Sequence, residues 1–252
     1  MVVTISGSPV IAYVLASVRL VAWLLIVPPF SSKAVPILAK TLLALGLALA
    51  VAPSLAGQQP PTDVPELAAT AVQEALIGAT IGFVTFLVFA AVQAAGDLID
   101  VFGGFSLAAA FDPLSQNTNS VNGKLFSMLG MMLLFASDAH LLIIGGLLRT
   151  FETMPVGTAW KPAGVTDVVT TVFGMFFTSA VQIALPLVGV LFLADLGLAL
   201  LTRVAPQLNA IGIMFPAKIG LTLMLVGLSF AVLPNALTRL IEVLSEAMKA
   251  LA

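Results

Sequence analysis

Six long apolar blocks, separated by prolines and short polar connectors, set the limits on what this chain can become. They run from Val10 to Val27, about Ala34 to Ala52, Leu67 to Ala95, Leu125 to Leu148, Val168 to Ala194 and Ile211 to Leu233. Each is near or above the roughly 20 residues that an α-helix needs to cross a bilayer. Pro28-Pro29, Pro53 and Pro234 close the first, second and sixth blocks, because proline cannot continue a helix without losing a hydrogen bond. Only 9% of the residues are charged and 60% are hydrophobic, whereas a soluble domain carries about 25% charged residues. The expectation is an all-α, membrane-type protein, one domain spanning residues 1–252.

The same composition removes several functions. A net charge of −2 offers no electrostatic footprint for nucleic acid. With no cysteine there is no disulfide or thiol chemistry. One histidine and no clustered ligands leave nothing to hold a metal. Gly103-Gly104 is not followed by the GK[ST] that a phosphate loop requires. No Ser-His-Asp set or paired catalytic carboxylates emerge, so neither an enzyme nor a cofactor is expected. The start, MVVTISGSPV, lacks a basic n-region, so the first apolar segment is expected to be retained.

The blocks carry charges that lipid would not accept. Arg19 lies in the first, Lys40 in the second, Glu74 in the third, Asp138 and His140 in the fourth, and Lys218 in the sixth. A charge at the bilayer centre costs about 2.5–3.5 kcal/mol on insertion scales. These side chains should therefore face a bundle interior, a partner subunit or water. Arg19, Glu74 and Lys218 read as ion-paired inside the bundle or at a subunit contact. Glu74, Gly78 and Gly82 share one helix face, where the glycines let another backbone approach. The fourth block, with Ser137-Asp138-Ala139-His140 at its middle, is either a crossing helix or a bent helical hairpin that never crosses. Asp138 with His140 also admits a second function, a proton-coupled secondary transporter of a small substrate. The plainer reading is a polar break between half-helices. Basic residues fall evenly on both sides of an alternating topology, so orientation is not fixed by charge.

The stretch from Ala95 to Asn122 reads as irregular: a glycine pair, a small-residue patch, Asp112-Pro113 and a polar tail. Irregular backbone at membrane depth survives only when buried in protein or facing water. An ordinary exposed loop is one reading. Against it, Phe105, Leu107, Phe111 and Leu114 are too apolar for a solvated loop. Gly103, Gly104, Phe105, Ser106, Phe111, Asp112 and Pro113 instead suit a segment that folds inward to stopper a channel. Elsewhere Ala56 to Glu66 reads as a stiff, proline-rich connector. Residues 235–252 place Leu237, Leu240, Ile241, Leu244, Met248 and Leu251 at helical spacing between charges, an amphipathic helix expected on an interface or a partner.

Taken in order, these residues resemble the FliR family of flagellar biosynthesis proteins and their virulence type III secretion relatives. The resemblance begins with Arg19, Pro29-Phe30 and Pro36, then Glu74, Ile77-Gly78 and Gly82-Phe83. It is strongest over Ala95-Gly96, Ile99-Asp100, Gly103, Ser106 and Asp112-Pro113. It continues with Phe151, Pro155 and Gly157, and ends with Asp195, Arg203, Pro206-Gln207, Asn209, Phe215-Pro216 and Lys218. The resemblance implies a non-enzymatic subunit of the export gate, built from bent helical hairpins and assembled helically with FliP and FliQ subunits. It implies FlhB on the cytoplasmic side, unfolded flagellar proteins passing through a central channel, and a place in the bacterial inner membrane at the flagellar basal body. It makes residues 103–122 the plug, and it makes Arg19, Glu74, Asp138, Arg203 and Lys218 charges that meet partner subunits rather than lipid.

Overall fold

A computed structural model describes residues 7–58, 60–105, 120–158, 163–205 and 210–251. Among these residues the protein is all-α, helices joined by turns, without a strand. The helices are α1 (Gly7–Ile26), α2 (Ile37–Leu55), α3 (Val64–Gly103), α4 (Val121–Ala136), α5 (Ala139–Thr153), α6 (Ala163–Val204), α7 (Ala210–Ser229) and α8 (Leu233–Leu251). By packing, the chain divides into two compact units. The first takes Met1–Leu87, Asp138–Phe173 and Ile241–Ala252, the second Val88–Ser137 and Gly174–Leu240.

The core of the first unit is a set of aliphatic and aromatic faces at helical spacing: Leu20, Trp23 and Leu24 of α1, Ala44 and Ala48 of α2, Ile77, Ile81 and Val84 of α3, and Leu147 and Phe151 of α5, all buried. Small residues bring α1 and α3 together. A methyl group on Gly78 would collide with the Arg19 carbonyl, and one on Gly82 would sit 3.2 Å from the Ile26 Cβ. The core of the second unit contains Val92, Ala95 and Ile99 of α3, Phe126 and Leu134 of α4, Leu191 of α6 and Val226 of α7.

Four helices are long and apolar enough to cross a membrane, or up to six spans if two bent pairs, α4–α5 and α7–α8, each count as one. At roughly 1.5 Å per residue α3 and α6 extend about 60 Å, about twice the ~30 Å hydrocarbon thickness. Each therefore reaches beyond hydrocarbon or is sheathed by protein. The two differ in how they meet this demand. In its most apolar stretch α3 is 61% buried by the chain itself, whereas α6 is 17% buried. Phe177, Phe192, Leu193 and Leu200 of α6 are exposed, as are Ile37, Leu42 and Leu49 of α2.

Several elements depart from the pattern read in the sequence. The third block does not stop at Ala95; α3 runs on through Gly96, Asp97 and Asp100 to Gly103. Within this extension Asp100 finds donors and Gly96 finds a close backbone neighbour. The fifth block likewise passes Ala194 and continues through Asp195 to Val204. The fourth block is a bent pair rather than one straight helix. Asp138 holds a left-handed backbone, φ 55°, between α4 and α5, a conformation that aspartate tolerates better than most residues. In the terminal amphipathic helix, Leu237, Leu240, Ile241, Leu244 and Met248 are buried.

Candidate functional site

Two polar constellations sit inside the apolar helices, one in each unit. In the first unit, Arg19 and Glu74 are 55 residues apart in sequence, both fully buried, and joined from Arg19 Nε to Glu74 Oε2 at 2.6 Å. Taking two charges out of water costs several kcal/mol each, which is offset only when the remaining donors and acceptors are also satisfied. Here they are. Arg19 Nη2 donates to the Met154 carbonyl at 3.0 Å, and Nη1 donates to the carbonyl and hydroxyl of Thr150 at 3.4 Å. The guanidinium lies 4.2 Å from the centre of the Phe151 ring, a cation–π contact worth about 2 kcal/mol when desolvated. Glu74 Oε1 accepts from the Gly157 amide at 3.1 Å.

This network pins the turn that follows α5. Thr158 N donates to the Pro155 carbonyl, and Gly157 takes the positive φ of 80° that the turn needs. Val156 N donates to Gln58 Oε1, Gln73 Nε2 donates to the Thr158 carbonyl, and Ser8 Oγ donates to the Gln58 carbonyl. Arg19, Glu74, Phe151, Pro155 and Gly157, dispersed along the sequence, thus form one site.

In the second unit, the last turns of α3 meet the start of α4. The Asp100 carboxylate is 4% exposed. Its Oδ2 accepts from the Ser120 hydroxyl at 2.5 Å and the Asn122 amide at 3.1 Å, and its Oδ1 accepts from the Asn122 side chain. Ser120 also caps α4, its Oγ accepting from Gly123 N at 2.8 Å. Two glycines allow the approach: a Cβ on Gly96 would lie 2.5 Å from the Asn122 carbonyl oxygen, and one on Gly123 would strike Asp97 Oδ1. Gly103 ends α3 against Thr222, whose hydroxyl would be 2.6 Å from a Cβ there. Gly104 turns away with φ 85° near Phe215. Both ends of the 103–122 segment are therefore fixed to the bundle. Of the stopper residues read in the sequence, Gly103, Gly104 and Phe105 belong to this stem; Ser106, Phe111, Asp112 and Pro113 lie outside the described residues.

The other charges have simpler surroundings. Lys218 of α7 pairs with Asp195 of α6, Nζ to Oδ1 at 2.8 Å. Arg203 is exposed in the last turn of α6, where a cation suits the negative helix end. Asp138 is exposed at its helix break, next to half-buried His140 in the first turn of α5. Lys40 bends its ammonium to the Ser32 carbonyl at 3.2 Å. Sequence reasoning missed Asp195 as the partner of Lys218 and missed the Asp100 cluster altogether. Only the ordering Ile99-Asp100, Ser120 and Asn122 across a glycine-marked loop could have suggested the latter.

A helical chain that pairs Arg19 with Glu74 and Lys218 with Asp195 inside its helices and leaves long apolar flanks bare has the character of a membrane-embedded protein. Similarity gives the family. Residues 10–244 match the model of bacterial export proteins, family 1, and the chain belongs to that family. It is 35% identical to the flagellar biosynthetic protein FliR of Escherichia coli K12 over 76% of this chain and 73% of the relative. To the flagellar biosynthetic protein FliR of Bacillus subtilis it is 30% identical, covering 79% and 78%. To the Yop proteins translocation protein T of Yersinia pestis it is 28% identical, covering 83% and 82%. The chain is thus a component of a flagellar or type III export apparatus, and these relatives are named for biosynthesis and translocation rather than for catalysis.

Proposed function

We propose that this chain is a non-enzymatic, channel-gating subunit of the flagellar type III protein export apparatus. It joins FliP and FliQ subunits in the export gate of the bacterial inner membrane, at the flagellar basal body. FlhB adjoins it on the cytoplasmic side, and unfolded flagellar proteins pass through the shared channel. The family match along residues 10–244 carries this reading. The bare apolar lengths of α2 and α6 support it, since they are surfaces for neighbouring subunits and lipid. The identity to the flagellar relative of Escherichia coli, 35% against 28% for the Yersinia pestis translocation protein, favours flagellar over virulence export. Residues 103–122 form the plug, with Gly103, Gly104 and Phe105 at its stem and Ser106, Phe111, Asp112 and Pro113 in its body. The rival reading, a proton-coupled transporter, loses ground because Asp138 is exposed at a helix break.

Affinity purification of the tagged chain from its own cells tests the assignment. FliP and FliQ subunits should come with it in one complex. A chain that leaves the membrane as a stable, lone monomer able to bind a small substrate would overturn the proposal.

A further inference from the structure

We infer that Asp100 is a stem clamp: one buried carboxylate that closes the excursion between α3 and α4 on itself, so that the bundle keeps its packing whatever occupies the positions between. The inference deepens the gate reading above and rests on it for its purpose, though not for its geometry. Three donors converge on Asp100, and all come from the far end of the excursion: the Ser120 hydroxyl and both the backbone and side-chain nitrogens of Asn122. A hydrogen bond to a charged acceptor is shorter and stronger than a neutral one. Burial of both Asp100 and Asn122 removes water as a competitor. The clamp is seated by contacts that no side chain could replace, Gly96 on the Asn122 backbone and Gly123 on Asp97. It is also coupled to secondary structure, because the Ser120 oxygen that donates to Asp100 accepts from Gly123 and starts α4.

Without a clamp, the entropy of joining two helices depends on the length and stiffness of the loop between them. With it, three hydrogen bonds to Asp100 offset that closure cost at the loop ends. On the gate reading, this holds the end of α3 and the start of α4 together at the base of the plug. Asp100 is therefore a positioning residue for the excursion.

The test uses the full chain in its purified membrane assembly and reads amide hydrogen exchange over residues 120–128. Replacing 106–119 by a glycine-serine linker of equal length should leave exchange there unchanged. Asp100→Asn keeps one acceptor oxygen but sets an NH2 group against one of the donors. It should speed exchange roughly 10-fold or more, the loss of a charge-assisted hydrogen bond. The exchanged pair Asp100→Asn with Asn122→Asp restores a carboxylate facing an amide and should recover most of the protection. If Asp100→Asn does not assemble, Ser120→Ala, which deletes one donor, should give a smaller increase. The inference is overturned if neither substitution changes exchange, or if the linker variant alone loses as much protection as Asp100→Asn. Ion leakage through the linker variant reports separately on the gate. A tight membrane there would sink the gate reading while leaving the clamp result intact.

Discussion

Glu74→Gln is the sharpest perturbation of the first unit. In the parent, Glu74 and Arg19 are both fully buried and bonded at 2.6 Å. The glutamine is nearly isosteric, so packing stays the same and the charge alone is lost. Arg19 then keeps the Thr150 and Met154 oxygens and the Phe151 ring, but has no counter-charge. The Gly157 amide or the Arg19 Nε must face the new NH2 group. Breaking a buried pair by removing one partner costs about 3–5 kcal/mol, a large part of the 5–15 kcal/mol that holds a typical domain together. For a chain of this size about 6–20 °C of thermal stability should disappear. The assay is thermal unfolding of the purified assembly, with membrane levels of the chain as a second readout. The double variant Arg19→Leu with Glu74→Leu removes the stranded charge and should be less damaging than the sum of its parts. It should not regain the parent's stability, because the Met154 carbonyl and Gly157 amide lose partners at about 1–3 kcal/mol each. A Glu74→Gln protein as stable as the parent, or strictly additive singles, would refute the reasoning.

The glycines give two further predictions. Gly78→Ala and Gly96→Ala place a methyl group against backbone, the Arg19 carbonyl and the Asn122 carbonyl respectively, so each should lower stability and assembly yield; parent-like yield from both would show that the helices are not so closely apposed. Gly46→Ala and Gly174→Ala meet nothing within 4 Å and should be neutral or stabilise by about 0.5–1 kcal/mol through helix propensity, measured in the same unfolding experiment.

How much of this was legible in the sequence follows from the range of each interaction. Helices were legible because apolar runs of membrane length have few other ways to satisfy their backbone. The break at Ser137–Ala139 was legible as a polar interruption, although the left-handed Asp138 that makes it was not. The end of α3 was misplaced because Asp100 looks like a loop residue until its donors at Ser120 and Asn122 are known. Arg19, Glu74 and Lys218 were recognisable as charges needing partners. Spacing could not show that Arg19 takes Glu74 while Lys218 takes Asp195, since those pairs form across helices. The ties to Met154 and Gly157, and one of the two to Thr150, run through backbone atoms, which carry little residue-specific signal. The amphipathic period of α8 was plain, but what covers its apolar face is a tertiary fact.

The proposed role of the segment between α3 and α4 is to keep a protein-conducting channel shut. Its most direct measurement is the ion and small-dye permeability of cells whose assembled gate carries the linker in place of residues 106–119. Permeability should rise sharply while the chain still purifies with its neighbours. A gate that assembles with the linker and remains as tight as the parent would contradict the account.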